Sequence, residues 1–210
     1  MGVAGDIKSP LEDLTFKLIN RQLPHEGMAT AKTGTFYLTE SVLLPAATGD
    51  GGRVMGTIDL GAYVNAPLGQ AISIDQVDFI WQNGSNYDGN VEAMLAANGS
   101  LTTQLTDLNP GTVFVRADNQ SLIASGSLNI DIANNIASHA DDLYPDNFGP
   151  ASLSESFMVV NDTLYLTVGN DGAAVGSASV NCSVRIRCRV VKLGQKDWVA
   201  IALQATASDN

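Results

Sequence analysis

The feature that most constrains the fold is a strictly alternating segment between residues 180 and 190. Apolar side chains occupy every second position, and polar or basic side chains fill the positions between them. Successive side chains of a strand point to opposite faces, so a period of two places the two sets on opposite sides of a sheet. The segment therefore predicts a β-strand whose buried face is formed by Val180, Cys182, Val184, Ile186, Cys188 and Val190.

Shorter segments of the same kind recur along the chain and are separated by turn residues such as Asn83-Gly84. Residues 91–97 have the propensity of a helical turn, but the β neighbourhood favours a strand. The alternation slips at Asp75-Gln76, which predicts a bulge or bend there. Residues 134–152 show no period, which predicts a long irregular connection. Strands are predicted over residues 34–44, 53–64, 72–81, 91–97, 112–117, 127–133, 155–160, 163–168 and 180–190.

Strands that follow one another without intervening helices disfavour a parallel α/β sheet and favour an antiparallel two-sheet sandwich. About eight strands suit a jelly roll. A short C-terminal helix is predicted over residues 195–205, which include Trp198 and Leu203. We therefore expect an all-β jelly-roll sandwich over residues 34–210, preceded by a helical arm over residues 1–33.

The arm is predicted from the start signal Ser9-Pro10-Leu11-Glu12, which combines a capping box with proline at the first helical position. Pro24 ends the helix. Such a helix either packs on its own domain or docks on a neighbouring subunit or a lipid surface. Its apolar positions are Leu11, Leu14, Phe16, Leu18, Ile19 and Leu23.

Charge limits the classes of partner. The chain has 22 acidic and 11 basic side chains, a net charge of −11, and no basic run. Nucleic-acid binding depends on Lys and Arg that neutralise phosphates, so direct nucleic-acid binding is disfavoured. Only 16% of residues are charged, against about 25% in an average soluble domain, which favours a surface that is partly covered in an assembly. We expect neither a secretory signal nor a membrane-spanning helix.

Two groups on the alternating segment stand out. Six positions separate Cys182 from Cys188, about 20 Å along a strand, which is beyond the ~7 Å limit for a disulfide, so we expect buried free thiols. Three of the chain's arginines, at positions 185, 187 and 189, share the polar face. Three adjacent like charges must be solvated or matched by carboxylates, either from an adjoining strand or from a neighbouring subunit.

No pattern typical of catalysis is present. The sequence contains neither a Gly-x-Ser-x-Gly elbow nor a phosphate-binding glycine loop. His139 with Asp141, Asp142 and Asp146 offers ligands for a divalent cation, but the spacing matches no calcium loop and favours a solvated loop. We therefore expect no enzyme activity, no catalytic residues, no cofactor and no metal site.

Residues 155–168, residues 180–193 and the Asp197-Trp198 pair resemble the closing strands of single jelly-roll capsid proteins from icosahedral archaeal and bacterial viruses. The resemblance implies a virion protein, a capsid subunit that is assembled in the host cytoplasm with identical subunits into an icosahedral shell. Other capsid proteins and an internal membrane are further candidate partners. The candidate subunit-interface residues are Leu14, Phe16, Leu18, Arg185, Arg187 and Arg189.

Three other functions are considered. A carbohydrate- or cell-surface-binding β-sandwich module, such as a spike or lectin-like domain, requires exposed aromatic side chains, and the weak candidates are Tyr87, Tyr144 and Trp81. A secreted fibre or biofilm subunit requires a signal peptide. A glycosidase or other hydrolase requires paired carboxylates, which distant strands can supply.

Overall fold

The computed structural model describes residues 29–84, 90–141 and 156–207. Within these ranges the chain forms ten β-strands and one α-helix, α1 (Gln195–Ala207). The predicted N-terminal helix and most of the predicted irregular segment lie outside the described residues. The strands are β1 (Thr30–Ala31), β2 (Phe36–Leu44), β3 (Arg53–Asp59), β4 (Gln70–Asn83), β5 (Gly99–Thr106), β6 (Leu122–Asp131), β7 (Ile136–Asp141), β8 (Phe157–Val159), β9 (Thr163–Asp171) and β10 (Val180–Lys192).

The strands form two antiparallel sheets, as the sequence predicted. The first sheet has the order β2-β10-β4-β8, and β1 extends the β2 edge along β10. The second sheet has the order β3-β9-β5-β6-β7. The pairs β2–β10, β3–β9, β4–β8 and β5–β6 are nested in the sequence and alternate between the two sheets. The early half of the chain therefore runs antiparallel beside the late half.

Strand β10 lies at the centre of the first sheet. It pairs with β4 over its whole length and with β2 from Val180 to Cys188. The alternation predicted its orientation correctly, because its apolar face is buried and its polar face points outward. The strand ends two residues later than predicted, at Lys192.

The core lies between the inner faces of the two sheets. Each fully buried Leu, Ile or Val contributes about 1.5–3 kcal/mol relative to an exposed one. The tightest part combines Ile72, Ile74 and Ile186 from the first sheet with Leu105, Leu164 and Leu166 from the second, all of them 0% exposed.

The predicted irregularity at Asp75 is confirmed. Ile74 pairs with Cys188 and Gln76 pairs with Arg187, so Asp75 is an extra residue without a partner in β10. The bulge places Asp75 beside Gln76 on the outward side of β4. Asp75 is nevertheless only 3% exposed, and its carboxylate contacts β10.

The structure corrects three predicted elements. Residues 91–97 are not a strand: Val91–Met94 form a 3₁₀ turn, and Leu95 makes only an isolated bridge to Val175. Residues 112–117 are a loop instead of a strand. Residues 136–141 were expected to be irregular but form β7, which pairs with β6.

Helix α1 confirms the predicted C-terminal helix and packs on the outer face of the first sheet. Trp198, Ile201 and Ala202 contact a small apolar cluster that includes Val191 and Leu193. The helix therefore covers the end of this face at which β10 finishes. In the part of the chain that the structure describes, no helix has the length and apolar character needed to cross a membrane.

Candidate interaction surface

The three arginines of β10 lie on the outer face of the first sheet, where the strand register sets their neighbours. Arg185 lies between Thr39 of β2 and Asp78 of β4. Arg187 lies between Tyr37 and Gln76, and Arg189 is opposite Ser73. The structure thus brings the arginines together in one row, but it gives each of them a different environment.

Arg189 is held within the molecule. Its Nη2 lies 2.7 Å from Asp75 Oδ1, and the exposed side-chain fractions are 17% for Arg189 and 4% for Asp75. The Ser156 hydroxyl donates to the same carboxylate oxygen at 2.7 Å. A charged pair this deeply buried needs extra hydrogen bonds to offset its desolvation. The Ser156 hydroxyl supplies one to Asp75, whereas the Nε of Arg189 is buried without a hydrogen-bond partner among the described residues. Arg189 therefore has its counter-charge on the adjoining strand of the same chain.

Arg185 and Arg187 have different surroundings. The Arg185 guanidinium lies over the Tyr37 ring, 4.2 Å from its centroid, which is cation–π geometry. The carboxylate opposite it, Asp78, accepts a hydrogen bond from Gln76 Nε2 at 2.8 Å. Neither arginine makes an ion pair within residues 29–84, 90–141 and 156–207. These two guanidinium groups are available to a carboxylate from outside.

Exposed apolar side chains of β2 lie on the same face. Tyr37 is 50% exposed and Leu43 is 49% exposed, at positions of the same parity along the strand. Between them the Ser183 hydroxyl of β10 donates to Ser41 at 3.0 Å. We call this surface the β10 patch and define it by Tyr37, Leu43, Arg185 and Arg187.

Part of the outer face of the second sheet is covered by a loop of the same chain. The loop between β5 and β6, residues 107–121, folds back over it, and the Gln104 side chain binds both the amide and the carbonyl of Val115. Arg53 lies 4.2 Å from the Phe114 ring centroid and pairs with Asp171 at 2.6 Å. The sequence did not predict the contact between Arg53 and the 107–121 loop, because no local pattern links Arg53 to a loop about sixty residues away. The loop covers this face around Gln104 and Arg53, and the face stays exposed at Thr57, Asp59 and Asn129.

A second open region is a groove beside α1, with a cavity volume of about 480 Å³. One wall is the turn of residues 66–69, and the other is α1 with the end of β10. Leu68 is 57% exposed and Val199 is 45% exposed, while Leu203 on the same helix is 64% exposed. We call it the α1 groove; it is lined by Ala66, Pro67, Leu68, Gly69, Lys192, Leu193, Gln195, Trp198 and Val199.

The remaining candidate residues fall into two groups. Leu14, Phe16, Leu18, Tyr87, Tyr144, Asp142 and Asp146 lie outside the described residues. Trp81 packs against the core, so it does not form the exposed aromatic surface that a glycan site requires. His139 is in β7 and faces Leu128 across the strand pair. Within the described ranges no cluster of three His, Cys, Asp or Glu side chains could hold a metal ion.

The two cysteines are free and buried, as predicted. Burial raises the pKa of the Cys182 thiol and of the Cys188 thiol to about 12. Thiolate is the nucleophilic form, so these groups act as small apolar side chains in the folded protein.

Comparison with known proteins identifies no family. No protein-family model matches, and no curated protein matches. Among solved structures, Desmodium yellow mottle tymovirus aligns at 8% identity and a TM-score of 0.30, over 77% of this chain and 90% of that one. Turnip yellow mosaic virus aligns at 5% identity and 0.29, over 77% and 96%. Maize chlorotic mottle virus aligns at 12% identity and 0.26, over 75% and 95%.

Similarity at these scores assigns neither a function nor a host to the chain. None of the three names is that of an archaeal or bacterial virus, so they do not support the resemblance to capsid proteins from such viruses.

Proposed function

We propose that the protein is a structural virion protein: a capsid subunit whose sandwich is a jelly roll and which assembles with identical copies into an icosahedral shell. The observation that supports this best is the strand order. The two sheets β2-β10-β4-β8 and β3-β9-β5-β6 contain eight strands in four nested antiparallel pairs. A long hairpin wound into two facing sheets is the arrangement of a jelly roll, an architecture used in viral capsids and in lectins.

The surface favours the capsid over the lectin. A glycan site typically presents aromatic rings beside loop carboxylates, whereas the exposed ring of the β10 patch, Tyr37, is stacked under the Arg185 guanidinium and lies among Leu43 and Arg187. The chain carries net charge −11, so a second copy is a ready source of carboxylates. Subunit contacts of this kind are individually weak, and a closed shell makes them stable because each is repeated many times.

The same charge bears on the other partners of the proposed virion. A subunit with this net charge repels phosphate, so we propose a genome that does not touch this shell directly, for example one enclosed by an internal membrane. In this proposal the protein resides in the capsid of the virion, is assembled in the host cytoplasm, and has no enzyme activity. At physiological salt the purified chain should pass through a DNA column; retention there would contradict this part of the proposal.

Assembly is the direct test. The full chain is concentrated stepwise and followed by light scattering and negative-stain microscopy, and we expect closed particles or regular lattices. Arg187→Glu places a carboxylate in the β10 patch, and we expect the concentration needed for assembly to rise at least about tenfold, which corresponds to about 1.4 kcal/mol.

The matched control is Arg116→Glu. Arg116 has the same charge, lies in the 107–121 loop with a 90% exposed side chain, and makes only a loose 3.6 Å pair with Asp118. This variant makes the same change in net charge as Arg187→Glu but loses only an exposed pair, which contributes little, so its assembly concentration should rise much less than that of Arg187→Glu. A strict monomer at every concentration, particularly one that binds glycans, would overturn the proposal.

A further inference from the structure

Strand β2 has one open edge. It pairs with β10 on one side, and no backbone hydrogen bond from the described residues reaches its other side. Strand β3 packs behind β2 and not beside it, because a Cβ at Gly56 would contact the inner-face side chains of Val42 and Glu40. Alternate residues of a strand direct their N–H and C=O groups to opposite edges. About half of the backbone groups of β2 therefore point to the open edge.

The open edge has little protection against pairing. Proteins usually protect such an edge with lysine, proline, a bulge or an inward-pointing charge, since an open edge pairs readily with another strand. Strand β2 is nine residues long, pairs with β10 without a register shift, and contains neither lysine nor proline. Its single charged residue is Glu40, at its centre. Pro45 follows directly and would end any added pairing at Leu44.

The side chains of β2 are complementary to a second copy of the same strand. Two copies that pair antiparallel around a twofold axis at Glu40 place residue 37 opposite residue 43. The exposed apolar side chains of Tyr37 and Leu43 then cover each other, once on each side of the axis. Moving the axis by one residue in either direction places one of them opposite a hydroxyl side chain instead. The pattern of exposed residues therefore favours this register.

We propose that two copies of the chain form a dimer by antiparallel pairing of their β2 strands around a twofold axis at Glu40. The pairing joins the two first sheets into one continuous sheet. Backbone hydrogen bonds across the axis hold the strands together, and the paired Tyr37 and Leu43 side chains fix the register. The two Glu40 side chains meet near the axis, and because like charges that face each other weaken a strand pair, the dimer is a reversible contact.

The dimer goes beyond the proposed function, because it requires no shell. It covers Tyr37 and Leu43 of the β10 patch and leaves Arg185 and Arg187 to carboxylates of other copies. Closed shells of identical subunits contain twofold axes, so the dimer is compatible with the proposed capsid but does not depend on it.

Disulfide trapping tests the pairing and its register in the full chain. In the proposed dimer, Thr39 of one copy lies opposite Ser41 of the other with about 5 Å between the Cα atoms, which suits a disulfide. Two copies of either residue are displaced along the strands and lie about 8 Å apart, which does not. An equimolar mixture of Thr39→Cys and Ser41→Cys chains should therefore form disulfide-linked dimers at least about tenfold faster than either variant alone.

The reaction is followed at protein concentrations below the onset of particle formation. The native thiols are free and buried, so they should not interfere. Equal rates for the mixture and the single variants, or a mixture that stays monomeric, would overturn the proposal.

Sedimentation of the dimer provides an independent measurement. Glu40→Gln removes the repulsion at the axis, so the dissociation constant should fall several-fold. Glu92→Gln makes the same change in net charge in the 3₁₀ turn and should leave the constant within about twofold. Leu43→Asp should raise the dissociation constant at least about tenfold, whereas Val113→Asp, at a similarly exposed residue of the 107–121 loop, should not.

An unchanged dissociation constant in Glu40→Gln or in Leu43→Asp would contradict the proposed pairing. Neither measurement requires particles. Particles that form without the β2 dimer would overturn this inference alone, and a β2 dimer that never forms particles would overturn the proposed function alone.

Discussion

Asp107 lies directly after β5 and is 3% exposed, and its Oδ1 has no hydrogen-bond partner among the described residues. Desolvation raises the pKa of this carboxyl from 3.8 to about 6, against a smaller lowering by a backbone hydrogen bond. Ionising the group therefore costs more in the folded protein than in the unfolded chain, so the residue couples stability to pH.

The first prediction concerns Asp107→Asn. The folded state binds the Asp107 proton more tightly, so its contribution to the free energy of unfolding is complete below pH 3.8 and disappears as the pH rises through about 6. Between pH 4 and pH 7 the loss amounts to about 2 kcal/mol. Urea unfolding at both pH values should show that Asp107→Asn lacks this loss. Asp118→Asn, at a 78% exposed side chain, should keep the original pH dependence.

The second prediction concerns the pair of Arg189 and Asp75. Arg189→Met leaves the Asp75 carboxylate buried without its counter-charge, so we expect a loss of about 3–5 kcal/mol in the free energy of unfolding. Arg187→Met, two residues earlier on the same face, should change it by less than about 0.5 kcal/mol, because Arg187 makes no ion pair with the described residues. Equal losses in chemical denaturation would show that the guanidinium of Arg189 and its pair with Asp75 contribute no more to stability than the guanidinium of Arg187.

At the scale of elements, the connection between β9 and β10 depends on a close approach of two backbones. Gly176 N donates to Met94 O at 2.9 Å, and Val175 forms a bridge with Leu95. A Cβ at position 176 would lie 2.1 Å from the Ala93 carbonyl oxygen. The connection and the 3₁₀ turn at residues 91–94 therefore pack together only with glycine at this position.

The third prediction follows from that contact. Gly176→Ala should lower the free energy of unfolding by about 1–3 kcal/mol, because a backbone carbonyl cannot move aside as a flexible side chain does. The matched control is Gly34→Ala, where a Cβ would meet nothing within 4 Å. That change should be neutral or stabilise the fold by up to about 1 kcal/mol, because it restricts the unfolded chain. Similar thermal midpoints for the two variants would contradict the close contact.

The elements also show where prediction from sequence works. β10 was located correctly because its alternation reflects burial on one face only. β5 was missed because Thr103 and Gln104 are both buried, one in the core and one under the 107–121 loop, so polar residues occupy both of its faces. Residues 112–117 contain suitable strand residues, but Val115 pairs with the side chain of Gln104 and not with a strand.

At the scale of the whole molecule, net charge and local contacts act on the proposed assembly in opposite directions. Each subunit carries −11, so copies repel one another over long range at low ionic strength. The proposed Arg187–carboxylate contacts act over a few ångströms and are screened less when they become buried. The long-range repulsion between the net charges therefore dominates while two subunits approach each other.

The fourth prediction is that salt promotes assembly. Raising the ionic strength from about 0.02 M to about 0.3 M shortens the Debye length from roughly 20 Å to below 10 Å and removes most of the long-range repulsion. Light scattering at constant protein concentration should therefore show particle mass rising with salt. Both variants have a net charge of −13 in place of −11, so both onsets should move to higher salt, and the onset of Arg187→Glu should move further because it also loses the local contact. Particles that dissociate as salt rises would indicate that exposed ion pairs dominate the contacts.

What the sequence determined by itself was local: the strand character of most segments, the outward row of arginines, the free thiols and the bulge at Asp75. These features follow from the two-residue period of side chains along a strand and from the dimensions of a strand. Both can be recognised from residues that are close together in the sequence. Only the tertiary structure decided that Arg189 pairs with Asp75 while Arg185 and Arg187 make no ion pair with the described residues, and that the 107–121 loop folds over part of the second sheet. Such differences depend on strand register and on the return path of loops, which join residues far apart in the chain.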